Sequence, residues 1–302
     1  MTNQAGTRAG ALAALATALV VILWSSGFIG AKLGVASAEP FTVLLLRFAV
    51  VLAIMLPLVL LWRVEWPATR AGVAYIAASG VLIQGGYLGG CFSAVYHGMP
   101  AGMIALVTGI QPILTAFAAA PLLGEAVSRI QWLGLALGFG GVAMVVWQKV
   151  SLQGLAPVSV IWSLVALVSI TAGTLYQKRY CPRFDLRAGS VIQFVAAGAV
   201  LLPLALLTET LQVNWNARFV FAVIWLAVVL SIGAVSLLFV LIQHGEATRV
   251  SSLFYLTPLA TAAMAWFAFN EKLDLLAMAG MVIGVAGVAL VLRKPGLPPP
   301  EA

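Results

Sequence analysis

Apolar residues run through this chain in ten blocks, separated by short polar breaks. The blocks cover roughly 10–36, 41–62, 71–96, 100–120, 127–147, 155–178, 187–208, 218–243, 248–269 and 274–292. Each is close to the roughly 20 residues that an α-helix needs to cross a hydrocarbon core. Backbone polar groups find no water there, so a crossing segment must close its own hydrogen bonds as a helix. The pattern predicts ten membrane-spanning helices, numbered here one to ten, joined by loops too short to form a soluble domain. The proline-rich stretch 295–302 is expected to be a disordered tail.

The blocks are not independent. The marks in Ala101–Ala143 return in Ala247–Ala289 at a constant shift of 146 residues, without a gap. Pro112 pairs with Pro258, Thr115 with Thr261 and Glu125 with Glu271. Gly134, Gly138 and Gly141 pair with Gly280, Gly284 and Gly287. The same shift aligns Gly27 with Gly173, Lys32 with Lys178 and Pro57 with Pro203. The chain is a tandem duplication, with one five-helix copy in 1–150 and a second in 151–294. Five crossings are an odd number, so the second copy must enter the membrane from the opposite side. Two inverted five-helix repeats (5+5) are the architecture of secondary transporters, whose substrate site lies near mid-membrane at the repeat interface.

Composition agrees with the periodicity. The 302 residues are 63% hydrophobic and 8% charged, against roughly 25% charged in a soluble domain. The net charge of +7 does not point to nucleic acid, because the basic residues lie between apolar blocks rather than on one folded face. They set topology instead. With the N-terminus inside, eleven Lys and Arg fall on the cytoplasmic side (Arg8, Arg63, Arg70, Arg129, Lys178, Arg179, Arg183, Arg187, Arg249, Arg293 and Lys294). Only four (Lys32, Lys149, Arg218 and Lys272) fall outside, and Arg47 within helix two completes the sixteen. Both termini are therefore expected in the cytoplasm. Ala36-Ser37-Ala38 resembles a signal-peptidase site, but the preceding apolar block is far longer than a signal h-region. Its Gly27 and Lys32 also have partners in helix six, which places helix one within the fold.

Polar and small residues at mid-span mark helices that face protein or a wet cavity. Helices one, three, four, six, eight and nine carry them; two, five, seven and ten are nearly all aliphatic with glycines. Candidate substrate contacts are Trp24, Ser26, Gln84, Tyr87, Gln111, Tyr176, Phe254 and Tyr255. They predict a neutral, aromatic, hydroxyl-rich lining suited to a small solute with an ammonium and an apolar side chain. Several of these rings could equally serve packing or the interfacial belt. Gly27, Gly173, Pro112 and Pro258 are candidate hinges or gates, with a static kink as the plainer reading. The glycines of helices five and ten predict simple close packing or a contact between these two helices, with a dimer face as the sharper alternative. Arg47 is expected to snorkel to the outer interface or to bond neighbouring carbonyls, with substrate contact as the alternative. Cys91 reads as a small buried hydrophobe. Glu125 and Glu271 read as cap or loop ion-pair residues.

All nine carboxylates fall in loops, at helix ends or in the tail, so no buried acid is available as a proton relay. A carrier whose cavity has no fixed carboxylate is expected, running down its substrate gradient or coupled by some less obvious means. No HExxH, GxSxG or mid-span acid pair appears, so neither an enzyme, a metal nor a cofactor is expected. The expected partners are a small-molecule substrate, an amino acid, and membrane lipids, with no nucleic acid; the chain is expected to act as a monomer, a dimer being left open.

The two copies resemble paired EamA domains of the drug/metabolite transporter superfamily. The resemblance rests on Pro112…Leu123-Gly124-Glu125…Trp132-Leu133-Gly134…Gly141-Val142 and on Pro258…Asn270-Glu271-Lys272…Gly280…Gly287-Val288. Trp24-Ser25-Ser26-Gly27-Phe28 and Leu46-Arg47-Phe48 fit as well. Within the superfamily the chain is most similar to bacterial inner-membrane exporters of aromatic amino acids. That resemblance implies export of aromatic and other neutral amino acids from cytoplasm to periplasm. A sugar-nucleotide or triose-phosphate carrier shares the superfamily, but would need several cations in its cavity. A non-transporting subunit would not need the polar mid-span positions.

Overall fold

Segments cut off from solvent must satisfy their backbone internally, and the computed structural model is helical in nearly all of its intramembrane length. It describes residues 2–62, 64–124, 127–147, 156–181, 183–234, 237, 256, 257, 259, 260 and 275–292. Helix one spans Thr2–Val35, helix two Pro40–Leu61 and helix three Arg70–Tyr96. Helix five is Arg129–Val146, helix six Pro157–Tyr180, helix seven Leu186–Thr208 and helix ten Leu275–Leu292. Helix eight begins at Ala217 and is described as far as Ala234. Most of the ninth apolar block, with Phe254, Tyr255 and Pro258, lies outside the described residues. So do Glu125 and Glu271.

Local sequence explains the helix ends. Pro40 and Pro157 sit in first turns, where a missing N–H costs nothing. The side chains of Thr69, Asp185 and Asn216 accept from first-turn backbone N–H groups of helices three, seven and eight. Helix three ends against Gly98, whose φ of +87° suits a residue without Cβ. Helix four differs from the expected kink at Pro112. It is two pieces, Ala101–Thr108 and Gln111–Leu123. The break falls at Gly109-Ile110, and Pro112 starts the second piece, its ring's fixed φ suiting a first turn.

Two further irregularities obey the repeat. Helix three contains a π-helical stretch at Val81–Tyr87, and helix eight contains one at Trp225–Ala234. Shifting the first by 146 residues places it at 227–233, inside the second. Widened turns of this kind interrupt the ordinary ladder and turn side chains in new directions.

The repeat becomes geometry through contacts between equivalent residues. In helices five and ten, a Cβ built on Gly141 would lie 2.4 Å from Gly284 N and 2.5 Å from Gly280 O. Reciprocally, one on Gly287 would lie 2.4 Å from Gly138 N and 2.6 Å from Gly134 O. The expected glycine packing is thus between these two helices, backbone on backbone. In helices two and seven, the equivalent rings of Phe48 and Phe194 meet with centroids 5.2 Å apart. Phe41 and Thr42 at the start of helix two lie beside Glu209 at the end of helix seven. Trp62 at the other end of helix two lies beside Arg187 at the start of helix seven. Both pairs run antiparallel, although their members occupy the same place in each copy. The fold is an all-α membrane architecture of two inverted five-helix repeats, related by a pseudo-two-fold axis that passes through these contacts.

The axis also relates the two faces, which are not closed alike. On the face carrying the loop after helix one, that loop is locked to the one between helices seven and eight. Glu209 accepts from Phe41 N at 2.7 Å, Thr42 N at 2.8 Å and Thr42 Oγ1 at 2.7 Å. Glu39 accepts in return from Thr210 N at 2.6 Å and Thr210 Oγ1 at 2.7 Å. An isolated bridge joins Ala38 to Val213, and Asn214 N donates to Ser37 O at 2.8 Å. On the other face, the equivalent loops flank a cleft of about 200 Å³ bounded by Glu65, Trp66, Tyr180, Cys181 and Phe184. There Asp185 pairs with its own neighbour Arg187 at 2.8 Å, which holds the Asp185 carboxyl below the usual carboxylate range.

The glycine contact predicts unequal costs for two neighbouring substitutions. G141V should lower stability by about 1–3 kcal/mol, since backbone must move to admit it. G140V should be nearly neutral, because nothing lies within 4 Å of a Cβ there. Thermal unfolding of both variants in detergent reads the difference; equal effects would contradict the packing. The carboxylate contacts predict that E209A loses about 1–2 kcal/mol, the worth of a helix N-terminal cap, and raises solvent exchange of the Phe41 and Thr42 amides. Unchanged exchange there would contradict the latch.

Candidate functional site

A group of aromatic and polar side chains lines a cavity between helices one, two, three and eight. Trp24, Gly27, Phe28 and Ala31 come from helix one, Arg47 from helix two and Leu230 from helix eight. Helix three supplies Ile83, Gln84, Tyr87, Leu88, Cys91, Phe92 and Val95. Its π-helical stretch places Gln84 and Tyr87 on the same cavity wall. The cavity they enclose is about 40 Å³, which admits water but not an amino acid.

One wall is aromatic. The Trp24 and Tyr87 rings stack at 17° with centroids 6.4 Å apart, and Trp24 Nε1 donates to Tyr87 Oη at 3.3 Å. That bond satisfies both polar ends of an otherwise apolar surface. Gly27 brings helix one against helix eight, since a Cβ there would lie 2.5 Å from Leu230 Cδ2. The opposite chemistry is cationic. Arg47 is 2% exposed, and its Nε donates to Ser231 Oγ at 2.8 Å. Ser231, in the π-helical stretch of helix eight, donates in turn to Leu226 O five residues back at 3.1 Å. Arg47 thus does not snorkel to the interface. A hydroxyl across the repeat boundary offers it a nearer partner. The lining is not neutral, as the sequence led one to expect, but carries one fixed positive charge. No carboxylate lines the cavity among the described residues.

Of the residues singled out in the sequence, Trp24, Gly27, Gln84 and Tyr87 come together here. Ser26 faces elsewhere: its hydroxyl donates to Leu23 O at 2.6 Å and accepts from Trp225 Nε1 at 2.9 Å. Gln111 is buried and donates to Thr174 Oγ1 at 3.4 Å, joining helix four to helix six. Tyr176 packs in a cluster with Tyr75 and Tyr180. Gly173 repeats the role of Gly27 in the other copy, since a Cβ there would lie 2.6 Å from Ile83 Cγ1. Both glycines permit helix contacts, and Pro112 sits at a helix start. Sequence reasoning did not place Arg47, Ala31, Cys91 or Leu230 at the cavity. Only Arg47 carried a usable signal, as a cation two turns into an apolar helix. Helix eight contributes Leu230, as a cavity-facing helix was expected to, whereas Arg47 comes from helix two, which the sequence assigned to the aliphatic set.

Comparison with known proteins agrees with the architecture. The EamA-like transporter family pattern matches residues 11–147 and again 157–293. The uncharacterized transporter YvbV of Bacillus subtilis is 28% identical, with 78% of this chain and 90% of that protein covered. A probable amino-acid metabolite efflux pump of Salmonella typhimurium is 26% identical, with 89% of this chain and 91% of that protein covered. A chain of known crystal structure shares the fold with a TM-score of 0.72 at 20% identity, covering 92% of this chain and 96% of its own. Matched twice, over most of its length, the chain belongs to the EamA-like transporter family, within the drug/metabolite transporter superfamily.

Proposed function

We propose that this protein is a secondary transporter that exports small metabolites, chiefly neutral and aromatic amino acids, from cytoplasm to periplasm by alternating access. The carrying observation is the stacked Trp24–Tyr87 wall of a cavity that lies where the two inverted repeats meet. Ring faces of this kind suit an apolar or aromatic side chain. The named activity of the Salmonella relative supports the same substrate class. The excess of Lys and Arg puts the cleft-bearing face in the cytoplasm, with both termini, and the latched face in the periplasm of a bacterial inner membrane. Pseudo-equivalent loops that are latched on one side and parted on the other supply the two gates that alternating access requires. With no carboxylate in the described lining, transport runs down the solute's own gradient.

Counterflow in proteoliposomes tests this reading. Liposomes preloaded with unlabelled solute should take up labelled Phe, Trp or Met selectively; exchange of none of them would contradict it. Uphill accumulation driven by a pH gradient alone would contradict the uncoupled mechanism. W24A should lower counterflow about tenfold, the equivalent of roughly 1.4 kcal/mol, at normal membrane expression. Wild-type flux in that variant would place the substrate elsewhere.

A further inference from the structure

The pseudo-symmetry sets two polar clusters side by side for comparison. Arg47 on helix two and Gln193 on helix seven are repeat equivalents. Each reaches across to the other repeat, Arg47 Nε to Ser231 Oγ at 2.8 Å and Gln193 Nε2 to Ser79 Oγ at 2.9 Å. In the second copy both N–H groups of the Gln193 amide are taken up, although its Oε1 has no partner. Gln177 Oε1 accepts the other N–H of Gln193 Nε2 at 3.0 Å. The counterpart of Gln177 in the first copy is Ala31, which carries no acceptor and forms part of the cavity wall.

Arg47 and Ala31 line the same cavity, and Ala31 lacks the amide oxygen that Gln193 meets in the other repeat. Ser231 is the only acceptor that Arg47 meets among the described residues, and no carboxylate there pairs with it. A second donor waits in the same cavity: Gln84 is 2% exposed, and its Nε2 has no hydrogen-bond partner. A buried cation without a counter-charge is costly to keep. A guanidinium fork matches the two oxygens of a carboxylate.

We propose that Arg47, assisted by Gln84, binds the carboxylate of the transported solute in the space that Gln177 fills in the other repeat. This rests on the export reading for the solute's identity; the Trp24–Tyr87 wall takes the solute's other end. The site selects for a carboxylate rather than for an ammonium.

Ligand-dependent thermal unfolding of the purified protein tests the assignment with three probes of one ring. These are phenylalanine, phenylpyruvate (carboxylate without ammonium) and phenylalaninamide (ammonium without carboxylate). Wild type should bind the first two at least tenfold more tightly than the amide. R47Q should remove that difference, and Q84L should weaken the two acids about fivefold while leaving the amide unchanged. If R47Q does not fold, the wild-type series and Q84L decide. The proposal is overturned if the amide stabilises wild type as well as the acids do, if none of the three stabilises it, or if Q84L and R47Q bind the acids like wild type. The export reading fails separately. Phenylpyruvate bound through Arg47 without any amino-acid counterflow would sink export and keep the carboxylate site. Counterflow of Phe with the amide competing equally would keep export and sink the site.

Discussion

Everything in this fold depends on equivalent segments meeting each other head to tail. A duplicated five-helix unit has no choice about orientation, because an odd number of crossings inverts the second copy. It does have to bring the copies together, and in lipid no hydrophobic effect drives helix to helix. Close packing must do it. Gly134, Gly138 and Gly141 against Gly280, Gly284 and Gly287 remove the side chains that would hold helices five and ten apart. Phe48 packs against Phe194 between helices two and seven. The partners hold the same position in each copy but are separate residues of one chain, so each side of the contact can change on its own.

Function on such a frame comes from departures from symmetry. Gly27 and Gly173 do the same job in opposite halves, letting helix one approach helix eight and helix six approach helix three. The polar positions do not repeat so faithfully. Gln193 gives both amide N–H groups to Gln177 and Ser79 in one cluster, while Arg47 and Ala31 leave its counterpart cationic and without that amide oxygen. The two faces diverge in the same way. Carboxylates cross-brace the loops on one side, and on the other Asp185 turns to its own helix. A symmetric frame with unequal fillings can favour one closed face without losing the ability to adopt the other arrangement.

The frame was legible in the sequence because glycine, proline and run length are backbone statements. The shift of 146 residues carried the inversion with it, and the glycine spacing carried the contact of helices five and ten. The cavity was harder to read. Ser26 is as polar as Gln84, but its hydroxyl is taken up by Leu23 and Trp225, a matter of helix rotation that a mid-span polar residue does not reveal. Tyr176 was drawn into an aromatic cluster with Tyr75 and Tyr180. Arg47 looked like an interfacial anchor because its depth in helix two was visible while its partner, 184 residues away, was not. The widened turns of helices three and eight, which orient Gln84, Tyr87 and Ser231, have no signature in periodicity.

The most direct measurement is the sidedness of two equivalent exposed positions. In a background without Cys91 and Cys181, single cysteines in place of Trp66 and of Gln212, which is its partner in the second copy, can be labelled with a membrane-impermeant maleimide in oriented vesicles. Inverted repeats predict labelling from opposite sides of the bilayer, Trp66→Cys from the cytoplasmic side and Gln212→Cys from the periplasmic side. Labelling of both from one side would mean that the two copies share an orientation, and the axis and the cavity beside it would have to be abandoned.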